Sequence, residues 1–355
     1  MKEKFKIPLS NDELIVGLLL CFFTAFIVSE SRLARLDSEN AISSKHPVDI
    51  YLKHPTNLPE LTEILADSNL IGSRKEFNWA ANLLGWHNFR KGHYLVDHGY
   101  SYEKFLSKLA RGIQDPVSVT ILPGRLKGKI ISSVATDLQF DSLALAKTLS
   151  DSSFLASIGL DKKDVIGRLY PNTYSLYWTS SPESVLKRVL REFHKAVVLN
   201  NKKRFDKLDR SVDEIVTLAS IIEWEAKADS EKATISGLYW NRLKRGMRLQ
   251  ADPTINYIIG KRRRLLYEDY KIKDPYNTYL HRGLPPGPIT NPSMSSIKAA
   301  LYPEDNDYLY MVASPDGRHA FSKTFKEHKR KSAKWRKWIQ KQYRIKKQRE
   351  EQSEE

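Results

Sequence analysis

An apolar run from Leu14 to Val28, LIVGLLLCFFTAFIV, constrains this chain more than any other feature. No aqueous fold exposes such a stretch, and it carries no charge. It is shorter than the ~20 residues of a typical transmembrane helix, but flanking side chains can extend it by snorkelling. Lys2, Lys4 and Lys6 precede it, and Glu30, Arg32 and Arg35 follow. Two readings compete, a cleaved signal peptide and a retained signal anchor. Ser29-Glu30-Ser31 is a poor cleavage site, which favours the anchor. The basic start then places residues 1–13 in the cytoplasm, the span at 14–29 and the bulk of the chain outside the cytoplasmic membrane. Cys21 is the single cysteine, so no intrachain disulfide can form. Leu20 before it is not the small residue that lipid attachment to Cys21 requires.

The 355 residues leave room for two modest domains beyond the span, and 41% hydrophobic content supports real cores. With 58 Lys and Arg against 42 Asp and Glu, the net charge is +16. Such a balance calls for an anionic partner, and an external location excludes nucleic acid. Much of the excess lies in a basic run from Lys326 to Arg349.

Residues 30–46 are polar and aperiodic and read as a linker. A unit of short strand, turn and amphipathic helix then recurs three times. It runs through Asp49–Leu52 with Leu58–Leu65, His93–Val96 with Ser101–Leu109, and Val117–Leu122 with Ile130–Leu138. A further helix covers Arg74–Leu84 and stops at Gly85. The first part is therefore a small β-α-α-β module, either a binding unit or an ordinary lobe. Residues 141–206 are mostly helical, broken at Arg168–Tyr177 by a Tyr-rich segment that suits either sugar rings or a core. A hairpin is signalled by Tyr308–Val312 and His319–Ser322 around Pro315-Asp316-Gly317.

Chemistry concentrates further along. Ser211-Val212-Asp213-Glu214 is a capping box that starts a helix. On that helix Ile215, Leu218, Ala219, Ile222 and Ala226 share a core face. Glu223 and Glu225 flank it on opposite sides, roughly 160° apart, so they do not form a carboxylate pair across one bond. Glu223 is the better general-acid candidate: Ala219 one turn back leaves room for substrate, and burial is expected to raise its pKa. The competing reading is that both are solvated helix-edge residues. A packing helix follows at Lys232–Lys244. Next, Gln250, Asp252 and Thr254 alternate along an extended segment, or Asp252 caps a helix from Pro253. Gly283 to Pro288 form a stiff Pro-Gly loop fit for a cleft wall. The histidines show no metal-ligand spacing, so no metal and no cofactor are expected.

Three ordered blocks then carry a resemblance: Ala219-Ser220-Ile221-Ile222-Glu223-x-Glu225, Asn241-Arg242-Leu243 through Gln250-x-Asp252-Pro253-Thr254, and Tyr276-Asn277-Thr278-Tyr279 with Gly283-Leu284-Pro285-Pro286-Gly287-x-Ile289-x-Asn291-Pro292. With the hairpin they make the chain similar to the YceG-like endolytic lytic transglycosylases of bacterial cell-wall metabolism. The resemblance implies an α+β protein: an N-terminal transmembrane anchor, a LysM-like module at 47–122, a mixed α+β catalytic domain at 123–328, and a basic tail at 329–355. It implies Glu223 as catalytic acid/base, with Glu225, Gln250, Asp252, Thr254, Tyr276, Asn277, Tyr279 and Ser322 as substrate-binding residues. The implied reaction cuts MurNAc–GlcNAc β-1,4 bonds within peptidoglycan strands, leaves 1,6-anhydro-MurNAc ends and terminates glycan elongation. Peptidoglycan glycan strands are the implied substrate, and peptidoglycan synthases the implied protein partners. A non-catalytic peptidoglycan-binding or division scaffold is the alternative. Two positions depart from the family pattern: Trp224 stands where Lys is frequent, and Asn172 where Asp is frequent.

Overall fold

The computed structural model describes residues 10–226 and 228–354; Lys2, Lys4 and Lys6 lie outside the described residues. The chain divides into two compact units, one of residues 1–117 with 177–179, the other of 118–176 with 180–355. Both helices and strands build it, so the class is mixed α+β.

The first unit opens with helix α1, Asn11–Leu36, started by a Ser10–Glu13 capping box. At 26 residues it spans ~39 Å, enough to cross a bilayer, and it is apolar enough to serve as an anchor or a signal sequence. It runs on through residues read as linker. There Leu36 joins the core and Arg35 pairs with Glu76 at 2.6 Å. Strand β1, Val48–Leu52, pairs antiparallel with β4, Gly92–Val96, and a short pair joins β2, Thr56–Asn57, to β3, Asn88–Phe89. Ile50, Leu52, Tyr94 and Val96 all turn inward, the period-two pattern of a half-covered sheet. They meet helices α2, Leu58–Asp67, α3, Arg74–Leu84, and α4, Tyr102–Arg111, through Leu61, Leu65, Phe77, Phe105 and Leu109. Each helix has a side-chain N-cap, from Asn57, Ser73 and Ser101. Gly85 and Gly112 end α3 and α4 in the left-handed conformation, where a Cβ costs energy.

Strand β5, Pro116–Ile121, pairs with β6, Asn172–Tyr177. Between them lie α5, Lys127–Thr136, and three short helices: α6, Ser142–Thr148, α7, Ser152–Ser157, and α8, Val165–Arg168. The Tyr-rich break is thus a strand with Tyr174 in the core and Asn172 exposed at its start. Helix α9, Pro182–Phe193, continues through a π-helical turn at His194–Val198 to α10, Lys202–Phe205. Helix α11, Val212–Glu225, starts at the expected capping box. It is covered nearly all round, so the single core face read from periodicity underestimates its burial. Around it pack α12, Asp229–Lys244, α13, Asp252–Ile259, and α14, Met294–Leu301. Strands β7, Tyr310–Ala313, and β8, His319–Ser322, form the hairpin, and α15, Phe325–Glu354, ends the described chain.

Candidate functional site

Glu223 lies in the last turn of α11, where the helix dipole disfavours a carboxylate. The start of α14 reverses that. Ser293 is the N-cap of α14, and its backbone N–H donates to Glu223 Oε2 at 3.0 Å. The Ser293 and Ser296 hydroxyls donate to the same oxygen at 2.5 and 2.6 Å. Lys232 of α12, only 6% exposed, brings Nζ to 3.5 Å from it. Asp229 and Ser295 hold that ammonium at 2.8 and 2.9 Å. Oε2 is therefore fully clamped, whereas Oε1 accepts no hydrogen bond among the described residues.

The electrostatic outcome differs from expectation. Burial is the largest single influence on Glu223 and pushes its pKa up. The two serine hydroxyls, the Ser293 amide and the Lys232 charge together outweigh it and hold the carboxyl below its ordinary value. Ala219 does not open space for substrate either; it is buried in the core.

A loop at Pro123–Arg125 borders Glu223. A Cβ built on Gly124 would lie 3.7 Å from Oε1, and φ is +66° there, so glycine is the residue that fits. The loop is stapled by Asn291, whose side chain donates to the carbonyls of Leu122 and Leu169 and accepts from the Arg125 N–H. Trp224 donates its indole N–H to the Gly124 carbonyl at 2.9 Å. The aromatic residue at this departure from the family pattern thus helps hold the loop. Asn172, the other departure, accepts among the described residues only from the next backbone N–H. On the far side of the loop at 283–288, Ser220 accepts the Ile289 N–H at 3.0 Å and fixes that loop to α11.

Glu225 points into a separate depression of about 150 Å³ lined by Trp224, Asp252, Pro253, Asn256 and Arg262. Burial, and then the negative charge of Asp252, push its pKa up to about 8, with Arg242 and Arg262 pulling the other way. Tyr279 donates to Asp252 at 2.6 Å and packs edge-on to Tyr270 at 4.6 Å. The two glutamates thus serve different surroundings, as their helical spacing predicts.

The other expected binding residues divide. Gln250 is exposed but has φ of +49°, and this left-handed kink breaks the alternation expected of Gln250, Asp252 and Thr254. Asp252 begins α13 after an Ala251 cap, so it is not the N-cap. Tyr276 is half-buried against Tyr257 at 4.8 Å. Thr254, Asn277 and Ser322 do not face solvent, with exposures of 0, 0 and 1%. Thr254 bonds to the Ala251 carbonyl and the Thr278 hydroxyl. Asn277 ties together the Tyr270 and Ile272 carbonyls and the Tyr279 N–H. The Ser322 hydroxyl is buried and has no hydrogen-bond partner among the described residues. Thr254 and Asn277 are thus internal struts, and in this structure none of the three offers its side chain to solvent.

Sequence reading missed Ser293, Ser296 and Lys232. The Ser-x-x-Ser start of a helix directly after Asn291-Pro292 was the available signal, but pairing it with Glu223 needs the fold.

The chain matches the YceG-like family over residues 50–334. It is 31% identical over 328 residues to the endolytic murein transglycosylase of Bacillus subtilis strain 168, covering 88% of this chain and 90% of that protein. The Streptococcus pneumoniae R6 protein of the same name is 28% identical over 325 residues, and the match spans 59% of its length. A 2.6 Å crystal structure of a yceG-like protein from Listeria monocytogenes superposes with a TM-score of 0.56 at 29% identity. That match covers 81% of this chain and 99% of the other. A match over most of the chain, in sequence and in fold, places this protein in the YceG-like family.

Proposed function

We propose that this protein is an endolytic lytic transglycosylase of peptidoglycan with Glu223 as its acid and base. The observation that carries the reading is the one-sided clamp, which fixes Oε2 and leaves Oε1 for a reacting group. A glycan lying over Oε1 displaces its remaining water and raises the carboxyl towards the protonated form needed at the first step. Oε1 then gives its proton to the oxygen linking N-acetylmuramic acid to N-acetylglucosamine. The C1–O bond breaks through an oxocarbenium-like state. The carboxylate next takes the proton of the muramic acid 6-hydroxyl as that oxygen closes on C1. The sugar supplies its own nucleophile at high effective concentration, so no second carboxylate has to position water.

Tyr276, Gln250, Asp252 and Tyr279 are proposed as glycan contacts, with Glu225 beside them. In the same reading, residues 47–122 form a LysM-like glycan-holding module ahead of the catalytic domain at 123–328. Helix α1 is the anchor, and peptidoglycan synthases work alongside.

Glu223→Gln keeps shape but loses the transferable proton. Turnover of purified peptidoglycan should drop at least ~100-fold. Mass spectrometry of wild-type products should find anhydro ends, one water lighter than hydrolysed ends. Free reducing ends point to a hydrolase, and full activity of the Gln protein returns the scaffold reading.

A further inference from the structure

The C-terminal helix has no part in the chemistry above, and its last 20 described residues extend beyond the family match. Its 30 residues hold twelve Lys and Arg against four Glu. The first turns dock on the hairpin, with His328 stacked on Tyr310 at 5.4 Å. Further along, Tyr343 accepts a hydrogen bond from Arg264 at 3.0 Å, which fixes the helix to the loop at 261–264. Trp335, Trp338 and Ile339 are half-buried on that side, the two indoles stacked at 5.0 Å.

The other side is a single-sign stripe. Arg330, Lys334, Lys337, Lys341 and Arg344 follow at i, i+4, i+7, i+11 and i+14, within ~80° of helix surface and along ~21 Å. All five are exposed, and none has an ion-pair partner among the described residues. Each neighbour along the stripe is a like-charge pair at i,i+3 or i,i+4, which weakens a helix. A helix needing only solubility would intersperse glutamates there. The nearby loop Lys261-Arg262-Arg263-Arg264 adds more positive charge, of which the Arg263–Asp269 pair neutralises only part.

We propose that this stripe docks on the anionic phospholipid headgroups of the membrane that holds α1. A straight row of cations on a helix held by its aromatic side matches a flat anionic surface. The proposal rests on α1 being an anchor, because tethering keeps lipid at high effective concentration and lets weak individual contacts suffice. Arg262 donates to the Trp224 carbonyl at 3.0 Å, so the loop that braces the helix also touches the end of α11. Docking therefore ties the unit that carries Glu223 to the bilayer surface.

The test uses the full chain in nanodiscs, one set of phosphatidylcholine alone and one with about a third phosphatidylglycerol. Trypsin cleavage between Arg330 and Arg344 is followed by mass spectrometry. Cleavage should be ~10-fold slower in anionic discs and recover at 1 M salt, where screening acts within ~3 Å. A Lys334→Glu, Lys337→Glu, Lys341→Glu protein should lose the protection. Those changes create i,i+3 and i,i+4 ion pairs with Arg330 and Arg344, so the helix is retained, which circular dichroism checks. Equal cleavage in both discs overturns the proposal. Equal protection by soluble polyphosphate in neutral discs also overturns it, in favour of a free polyanion. A chain that elutes apart from both discs overturns the anchor reading instead.

Discussion

At the scale of single residues, the surroundings displace the pKa values of the two glutamates of one helical turn in opposite directions. Glu223 has its pKa lowered because the start of α14 and Lys232 stabilise its charge more than burial opposes it. A lowered carboxyl contributes stability above its unfolded pKa and loses it as pH falls through the folded value. Ser296→Ala removes one donor to Oε2, so the Glu223 pKa should rise. The basic limb of the kcat/KM profile, where the free enzyme loses the proton that the first step needs, should move up with it, while the fold survives; an unmoved limb argues against the clamp. Glu225 is the reverse case, raised to about 8. Its protonated form favours the fold below the unfolded value near 4.5, and that contribution is lost as pH rises towards 8. Glu225→Gln should therefore flatten the decline of Tm between pH 5 and pH 8. If both proteins decline in parallel, Glu225 is not the group responsible.

At the scale of elements, buried polar side chains decide how the loops are placed. Asn277 spends its amide on three backbone groups around the turn before Tyr279. Asn277→Ala should lower stability by ~2–4 kcal/mol in denaturant titrations, since it leaves buried carbonyls unpaired. Ser322 is the opposite test. Its hydroxyl is buried in β8 with no partner among the described residues, so Ser322→Ala should be neutral or stabilising by up to ~1 kcal/mol. A large loss of turnover with unchanged stability in Ser322→Ala would restore it as a glycan contact.

At the scale of the whole molecule, α1 has the length and apolarity of a membrane span, and among the described residues its side chains from Leu14 to Val28 are all exposed. A periplasm-active phosphatase fused after Glu355 should show activity in cells, and a cytoplasm-active reporter at the same point should not. The reverse pattern would refute the external placement of both units. The +16 charge belongs to the same picture, since much of it is concentrated in α15.

Periodicity and caps were enough to read α11, α3, the β7–β8 hairpin and the strand–helix repeats, because these follow from local backbone preference and one-sided burial. The ordered blocks around Glu223 were enough for the family. Sequence could not reveal that Ser293 and Ser296, some seventy residues downstream, close on Glu223, or that Lys232 joins them from α12. Nor could it separate Asp252 and Tyr279 at a surface from Asn277 and Thr254 inside it, because each block pairs one of the first with one of the second, all of them polar. Local pattern specifies which face of an element is apolar. Only packing decides which helix end meets a given carboxylate, and that meeting sets its charge.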